Sequence, residues 1–279
     1  MPKTWSAGRF KLTPSPHSPL IMGIVNVTPD SFSDGGQHNT ASAAIAHAET
    51  LLKEGADILD LGGESTRPGS QGVSVEEEWA RLAPVLKALV PWNVPLSVDT
   101  LKPEIMRRAV EVGVDILNDV NGFRAPGAEE TLAASTVGGV VMHMLGEPRT
   151  MQASPQYADV VREVTAFLQD RLTNLEQQGV GLHRLMVDPG FGFGKTLAHN
   201  VSLMQATAAF SALGAGVLIG VSRKRMIGEL TGIENPPQRI HGSIAAALFA
   251  AREGAAVVRV HDVKATRDAL QVQAVLLGG

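Results

Sequence analysis

Residues 20–61 read LIMGIVNVTPDSFSDGGQHNTASAAIAHAETLLKEGADILDL and contain one full repeat of the pattern that organises the chain. The short apolar run Leu20–Val25 predicts a buried strand, and in Ala41–Glu54 apolar residues recur at three and four positions, as on one face of a helix. A second short apolar run, Asp57–Leu61, follows. This order predicts two parallel strands joined by a helical crossover.

The same alternation continues along the chain. Further strands are predicted at Pro95–Val98, Asp115–Leu117, Gly139–Met142, Leu185–Val187, Val217–Val221 and Ala256–Val260. Helical periodicity lies between them, at Glu76–Val90, Lys102–Val112, Asp159–Gln178 and Ile240–Arg252. Eight strands in unbroken alternation favour an α/β fold, a single-domain (β/α)₈ TIM barrel with its site at the carboxyl ends of the strands. An open doubly wound sheet remains the alternative, because the sequence does not reveal strand order.

We expect residues 20–279 to form the barrel and residues 1–19 to form an extension packed on it. The chain has 24 Lys and Arg against 28 Asp and Glu, so its formal net charge of −4 gives no overall attraction to nucleic acid or to an anionic membrane. The absence of Cys excludes disulfides and thiol catalysis. No segment has the roughly 20 apolar residues of a membrane span, and Met1–Leu20 lacks a signal peptide pattern. These features predict a cytoplasmic protein that acts on small molecules.

Two segments rich in Gly, Ser, Pro and Asp, Thr28–Asn39 and Gly62–Val75, interrupt the regular alternation. Loops of this length in a compact domain are usually functional. Both follow strands, so they belong to the face of a barrel on which active sites are built.

A polar or charged residue follows each apolar run. The set is Asn26, Glu64, Asp99, Asn118 with Asp119, His143, Asp188, Ser222 with Lys224, and Arg259 with His261. Helix capping would explain a single position. Because the carboxyl ends of all eight strands meet at one mouth, the whole set favours a binding site.

The carboxylates in this set predict a ligand with neighbouring N–H groups. Asp99, Asp188 and Asn118 could bind the guanidine-like edge of a heterocycle. Lys224 could donate to a ring carbonyl. We therefore expect a flat nitrogen heterocycle.

The basic residues predict a phosphorylated group on the same ligand. Arg67, Arg259 and His261 provide local positive charge in a chain whose net charge is negative. His143 is a single imidazole without metal-ligand spacing, and we interpret it as a core histidine.

The string GFGFGKT at 190–196 resembles two nucleotide-binding motifs but fits neither. The first glycine of a P-loop would fall at Pro189, and the last glycine of a dinucleotide-binding fingerprint would fall at Lys195. We predict instead that this glycine-rich backbone lies close to a flat ligand, with Phe193 as a stacking wall.

Several strings resemble signatures of the dihydropteroate synthase family. Ile24–Gly36 (IVNVTPDSFSDGG) resembles the first signature, and Asp60–Gly69 (DLGGESTRPG) resembles the second. Further matches are Ser97–Thr100, Ile116–Val120, Asp188–Lys195, Ser222–Lys224 and Arg259–Asp262. The matches occur in order along the chain from residue 24 to residue 262, so the resemblance is specific.

The resemblance implies an enzyme of folate synthesis, a transferase that joins 6-hydroxymethyl-7,8-dihydropterin diphosphate to p-aminobenzoate with release of pyrophosphate. It implies pterin contacts from Asp99, Asn118, Asp188 and Lys224. It implies diphosphate contacts from Asn26, Arg67, Arg259 and His261, with Mg²⁺ near Asn26. It implies a p-aminobenzoate pocket shaped by Thr66, Pro68 and Phe193. The residues implied in catalysis are Asp34, Asp99, Lys224, Arg259 and His261.

Three further expectations accompany the resemblance. Phe32 and Asp34 lie on the first long loop, which in the family orders over the bound diphosphate. Arg225 stands where other members place a Ser that helps to hold the benzoate carboxylate, so that contact is open. The family also implies a homodimer.

We expect a dissociative reaction, in which pyrophosphate leaves before the amine attacks. Two related alternatives are a corrinoid-dependent pterin methyltransferase and a pterin-binding paralog without synthase activity. A Schiff-base aldolase using Lys224 is a weaker alternative. The loop residues Asp34 and Arg67, and the pair Arg259 and His261, count against the methyltransferase.

Overall fold

The computed structural model describes residues 4–15, 17–28, 36–64, 72–146, 151 and 155–278. Within these ranges the strands are β1 Trp5–Ala7, β2 Phe10–Leu12, β3 Leu20–Asn26, β4 Ile58–Gly62, β5 Leu96–Asp99, β6 Ile116–Asp119, β7 Gly138–Met142, β8 Leu185–Asp188, β9 Gly216–Ile219 and β10 Val257–Val260. The helices are α1 Gly36–Lys53, α2 Val75–Leu89, α3 Pro103–Val112, α4 Ala128–Ala133, α5 Val160–Gln177, α6 Leu197–Gln205, α7 Thr207–Phe210, α8 Arg225–Thr231, α9 Ile240–Arg252 and α10 Val263–Leu276.

The strands β3 to β10 pair in chain order and close into a parallel barrel, in which β10 lies beside β3. The closing register pairs Val257 with Leu20 and Val260 with Gly23. The predicted (β/α)₈ barrel is therefore confirmed, and the open-sheet alternative is wrong. Each crossover helix covers the outside of the sheet and buries an apolar face against it.

Most predicted boundaries differ from the structure by one or two residues, but α1 differs more. It begins at Gly36 instead of Ala41, so the predicted first loop, Thr28–Asn39, was too long at its carboxyl end. Glycines follow three helical segments: Gly55, Gly113 and Gly254 have φ of 100°, 106° and 91°. In this left-handed region a side chain would be strained, which favours glycine after a helix.

The floor of the barrel is an apolar layer with one residue from each of seven strands. The layer consists of Met22, Ile58, Ile116, Val140, Met186, Leu218 and Val257. A hairpin of β1 and β2 lies below it, and Trp5 and Ala7 of β1 pack into the same cluster. The Trp5 indole Nε1 also donates to the Arg184 carbonyl at 2.9 Å. The hairpin thus closes the amino-terminal end of the barrel.

A polar layer lies directly above this apolar floor. Side chains alternate along a strand with a period of two, so a residue two positions after a floor residue also points into the lumen. The positions defined in this way are Ile24, Asp60, Asn118, Met142, Asp188, Gly220 and Arg259. The same strand geometry that closes the floor therefore gathers the ionisable groups at the carboxyl end of the barrel.

No helix within the described ranges is long and apolar enough to cross a bilayer.

Candidate active site

Arg259 of β10 joins two carboxylates inside the lumen. Its Nε donates to Asp60 Oδ2 at 2.6 Å, and its Nη2 donates to Asp99 Oδ2 at 2.8 Å. Asn118 Nδ2 also donates to Asp60 Oδ2, at 3.3 Å. The Oδ1 atoms of Asp60 and Asp99 are buried and accept no hydrogen bond from the described residues. Two carboxylates share one guanidinium, so this cluster has a net negative charge and two open acceptor positions.

This shared charge affects how Asp99 titrates. Burial raises the pKa of Asp99 to about 7, since water that would solvate the carboxylate is excluded. The guanidinium of Arg259 opposes this rise, while the neighbouring Asp60 adds to it. Asp99 can therefore change protonation state near neutral pH.

Asp188 of β8 lies near Arg259 in the same lumen, with β9 between their strands. A Cβ built on Gly220 would lie 3.7 Å from Arg259 Cβ and 3.9 Å from Asp188 Oδ2, so both side chains border the same space. Asp188 Oδ1 accepts the Gly190 N–H at 2.7 Å. Burial raises the pKa of Asp188, and the positive charge of Lys224 opposes that rise. The carboxylate and the guanidinium can thus contact one small ligand.

Lys224 lies between Asp188 and an aromatic wall. Its Nζ is 4.4 Å from the centre of the Phe193 ring and donates to the carbonyl oxygen of Phe191. Burial lowers the pKa of Lys224 to about 8, and the Asp188 carboxylate counteracts this effect. Phe193 packs against a small methionine cluster that includes Met142. The ammonium and the ring together form a cationic and aromatic side of the pocket.

The ends of β9 and β10 are fixed to each other. The Ser222 hydroxyl accepts the backbone N–H of His261 at 3.1 Å and lies 3.0 Å from His261 Nδ1. Arg223 binds Asp262 through Nε at 3.0 Å and through Nη2 at 2.5 Å. Arg223 also has a φ of 59°, a strained backbone that the bidentate pair can hold in place. These contacts set the direction of His261 relative to Lys224.

A buried ionic cluster holds the start of the second long loop. The Lys102 ammonium donates to Glu64 and, at 2.5 Å, to Glu78 Oε2. Thr100 donates its hydroxyl to Glu78 Oε1 at 2.7 Å. Burial raises the pKa of Glu78, and the Lys102 ammonium opposes this rise. The chain is thereby fixed at Glu64, the last residue of this described range.

The glycine-rich segment 190–195 has the opposite polarity to a phosphate-binding loop. Its carbonyl oxygens point at two ammonium groups: those of Gly190 and Phe193 at Lys195, and that of Phe191 at Lys224. A phosphate-binding loop would instead direct its N–H groups at the ligand. The structure thus supports the rejection of the P-loop interpretation.

Lys195 and His143 form a buried pair behind this segment. Lys195 Nζ lies 2.9 Å from His143 Nδ1. Burial lowers the pKa of His143 to about 3, and the nearby Lys195 charge adds to this effect. The His143 ring packs edge to face on Phe167 with centroids 4.9 Å apart. The interpretation of His143 as a core histidine is confirmed.

The described residues of the predicted site converge on one mouth. Asn26, half-buried at the end of β3, is paired with Gly62, which is in turn paired with Asp99. Arg225, in contrast, is exposed and binds Glu229 at 2.6 Å. The predicted residues that lie outside the described ranges are Phe32, Asp34, Thr66, Arg67 and Pro68.

Two residues of this region were missed by sequence reasoning. Asp60 lies inside an apolar run, where only its two-residue spacing from Ile58 marks it as facing the lumen. Lys195 was considered only as a mismatch to a fingerprint. Its partner His143 is remote in the chain, so local sequence gave no signal for their contact.

Comparison with known proteins places this fold and lumen in a class. The sequence model of the family described as pterin binding enzyme matches residues 22–261. A dihydropteroate synthase of Neisseria meningitidis serogroup B is 54% identical over 274 residues, which cover 96% of this chain and 95% of that protein. The fold and the polar lumen are thus those of a pterin-binding enzyme.

Solved structures agree with this similarity. The structure of Xanthomonas albilineans dihydropteroate synthase with 4-aminobenzoic acid has a TM-score of 0.94 at 51% identity, with 100% of both chains covered. Burkholderia cenocepacia dihydropteroate synthase complexed with 7,8-dihydropteroate has a TM-score of 0.89 at 45% identity, covering 99% of this chain and 97% of that one. The chain belongs to the dihydropteroate synthase family, whose members are transferases of folate biosynthesis.

Proposed function

We propose that this chain condenses 6-hydroxymethyl-7,8-dihydropterin diphosphate with p-aminobenzoate, giving 7,8-dihydropteroate and pyrophosphate. The observation that carries the proposal is that the polar side chains of Asp99, Asn118, Asp188 and Arg259 surround one lumen. The related Xanthomonas albilineans and Burkholderia cenocepacia enzymes bind 4-aminobenzoic acid and 7,8-dihydropteroate in their solved structures.

In this proposal the acidic groups bind the pterin ring. Asp188, Asp99 and Asn118 offer acceptor oxygens to the N–H groups of the aminopyrimidine edge. The unused Oδ1 atom of Asp99 is one such acceptor. Lys224 donates to the ring carbonyl from the other side of the pocket.

The diphosphate is assigned to the basic side of the mouth. Arg259 uses Nε and one N–H of Nη2 in its two carboxylate bonds, and a guanidinium has five N–H groups. The remaining N–H groups can donate to a phosphate oxygen. Asn26, His261 and, by resemblance, Arg67 complete the set. Asp34 and Phe32 are assigned by resemblance to the loop that covers it.

Mg²⁺ fits this site as a companion of the diphosphate. The described residues contain no group of three or more His, Asp or Glu that could hold a metal ion. Mg²⁺ is commonly bound through one or two protein oxygens together with substrate phosphates. The Asn26 side-chain oxygen would supply one such ligand. When bound there, the ion would neutralise charge on the departing pyrophosphate.

The proposed reaction is a dissociative substitution. The bond between the pterin methylene and the bridging oxygen breaks, and pyrophosphate leaves with the electron pair. Arg259 and His261 stabilise the negative charge that develops on that oxygen. Asp99 stabilises the cation that remains on the pterin. The aromatic amine then forms the new C–N bond and releases one proton to solvent.

The amine is assigned to the side of the pocket formed by Phe193, with Thr66 and Pro68 added by resemblance. Phe193 gives a flat apolar surface for the benzene ring. Arg225 faces solvent beside Glu229 and offers a positive charge for the carboxylate of the amine only after this ion pair opens.

A homodimer is also proposed. Exposed apolar side chains lie on three consecutive helices, namely Leu230, Phe249, Val272, Val275 and Leu276. The last three share one face of α10, because they are spaced by three and four residues. Association would remove this apolar surface from water.

The test is product formation by the purified protein. Pyrophosphate release and dihydropteroate formation are measured with both substrates and with each substrate alone. We expect both products only when both substrates are present. Pyrophosphate release without the amine would show hydrolysis instead, and the absence of turnover would favour the non-catalytic paralog.

A further inference from the structure

Lys195 is a buried lysine that none of the steps above uses. It is 3% exposed, yet its ammonium has an acceptor for each of its three N–H groups. These acceptors are Gly190 O and His143 Nδ1, both at 2.9 Å, and Phe193 O at 3.0 Å. Burying an amine is costly unless it is hydrogen-bonded, so a buried lysine at this position indicates a specific structural or functional role.

The positions of the hydrogen-bond acceptors indicate the role of Lys195. Two of them are carbonyl groups at either end of the segment 190–193, and the third belongs to the residue that follows β7. A side chain on Gly190, whose φ is 71°, would overlap the carbonyl oxygen of His143. The glycine-rich segment therefore approaches the β7 end closely, with the ammonium between them.

The placement of Phe193 depends on this contact. The Phe193 carbonyl is bound by Lys195, and the next carbonyl, that of Gly194, accepts the Tyr157 hydroxyl at 2.9 Å. The Phe193 ring is half-buried and faces the Lys224 ammonium on the pocket side. Its position is therefore set by side chains behind the segment.

The backbone of Asp188 is held by contacts outside the segment 190–194. It is paired with Met142 in the barrel, and its carbonyl accepts the His143 N–H at 3.0 Å. Its carboxylate does contact the segment, because Oδ1 accepts the Gly190 N–H at 2.7 Å. A shift of residues 191–194 therefore leaves the Asp188 backbone in place and displaces Phe193 more than the pterin side of the pocket.

We propose that Lys195 is a positioning residue for the aromatic amine, and that its buried ammonium holds the backbone of 190–194 so that Phe193 forms one wall of the amine pocket. This inference rests on the proposed function, because it takes p-aminobenzoate as the ligand beside Phe193. It assigns different supports to the two substrate sites: pairing within the barrel holds the backbone of Asp188 for the pterin, and Lys195 sets the pocket of the amine.

The test compares Lys195→Met with the wild-type enzyme. The methionine keeps the length of the side chain but has no donor. We expect KM for p-aminobenzoate to rise about 10- to 100-fold, as a small displacement of a binding wall can cause. KM for the pterin diphosphate should change by a clearly smaller factor, because the barrel pairing that holds the Asp188 backbone remains.

Arg9→Met is the matched control for stability. Arg9 is bound to Asp115 below the barrel, through Nε at 2.9 Å and Nη2 at 2.8 Å, far from the carboxyl ends of the strands. This variant should lower the melting temperature and leave both KM values unchanged. If Lys195→Met behaves in the same way, Lys195 is only structural and the inference is overturned.

Tyr157→Phe keeps the inference testable if Lys195→Met does not fold. It removes only the hydroxyl that binds Gly194 O. We expect the same selective rise in KM for the amine, with a smaller magnitude. Equal changes in both KM values, or a change in the pterin value alone, would overturn the inference. Wild-type enzyme that makes no dihydropteroate would instead reject the proposed function.

Discussion

At the scale of single residues, the guanidinium of Arg259 serves two functions. It neutralises two buried carboxylates, and it is proposed to bind the diphosphate. Its bonds to Asp60 and Asp99 fix its orientation before any ligand arrives, so little side-chain freedom remains to be lost on binding. Arg259 therefore belongs to the structural core of the pocket as well as to its binding surface.

Arg259→Met should weaken both binding and folding. Pyrophosphate affinity, measured by calorimetry, should fall because charge and donors are lost. The free energy of unfolding in urea should fall by about 1–3 kcal/mol, because Asp60 and Asp99 lose a donor inside the lumen. Arg107→Met, on the exposed side of α3, should change stability by less than about 0.5 kcal/mol. Unchanged pyrophosphate affinity would contradict the assignment.

Asp99 should make pterin binding depend on pH. Its pKa is raised to about 7, so the carboxylate that accepts ring N–H groups is lost as the pH falls through about 7. Affinity for 6-hydroxymethylpterin, titrated from pH 8 down to pH about 5.5, should therefore decrease. Asp99→Asn should bind weakly at every pH and lack this dependence. A dependence retained in Asp99→Asn would assign the titration to another group.

The raised pKa of Asp99 makes folding stability depend on pH in the direction opposite to pterin binding. Between the ordinary value of 3.8 and about 7, the native state holds the Asp99 proton more tightly than the unfolded chain does. This group therefore stabilises the native state most at low pH, and its contribution falls as the pH rises to about 7. Lowering the pH therefore increases the contribution of Asp99 to folding stability and weakens its binding of the pterin.

At this scale, the sequence predicted groups at strand ends and missed groups inside the barrel. Asp99, Asn118 and Asp188 were found because each follows an apolar run, and Arg259 was found because it follows Val257–Val258. Asp60 interrupts a run that seemed wholly apolar, although its spacing from Ile58 contained the information.

At the scale of elements, seven of the eight barrel strands contribute first to the floor and two residues later to the layer above it. Val257 packs in the floor while Arg259 enters the polar layer, and Met186 precedes Asp188 in the same way. A shift of one residue in the register would turn both layers outward. Packing of the floor thus sets the height of the polar groups.

Trp5→Ala should test the hairpin as a separate structural element. Trp5 is 1% exposed, and its removal leaves a cavity under the floor and an unpaired Arg184 carbonyl. We expect the free energy of unfolding to fall by about 3–5 kcal/mol, as for other buried Trp side chains. Both KM values should stay unchanged at a temperature where the variant is folded. A selective change in one KM would show that the hairpin acts on the site.

The sequence predicted the barrel strands better than the short helices and the hairpin. The barrel strands were visible as apolar runs, since a parallel sheet is covered on both faces. Short helices such as α4 and α7 were not assigned, because helices of this length depend on tertiary packing more than on their own propensity. The strands of the hairpin have only three residues each, too few for a visible alternation.

At the scale of the whole molecule, the apolar surface of α8 to α10 predicts association. Val275→Glu should place a charge in that surface and produce a monomer, observed as a halved mass in analytical ultracentrifugation. Circular dichroism should remain unchanged, since Val275 is 74% exposed. Gln169→Glu adds the same charge on exposed α5 and should leave the mass unchanged. A wild-type protein that sediments as a monomer would contradict the proposed homodimer.

The overall architecture was the most predictable feature. Regular alternation of strands and helices indicates parallel pairing, because a short turn cannot join parallel strands. Closure was an inference from the number of strands, and only the pairing of β10 with β3 established it.

That closing pair has a consequence for synthesis of the protein in the cell. The strand β3 is synthesised long before β10, its partner in the closed barrel. In the same way, the Trp5 indole has no hydrogen-bond acceptor until Arg184 has been synthesised. Until then β3 is an open sheet edge, which favours misassembly with other nascent chains. Chaperone dependence should therefore be greatest during translation, before β10 pairs with β3.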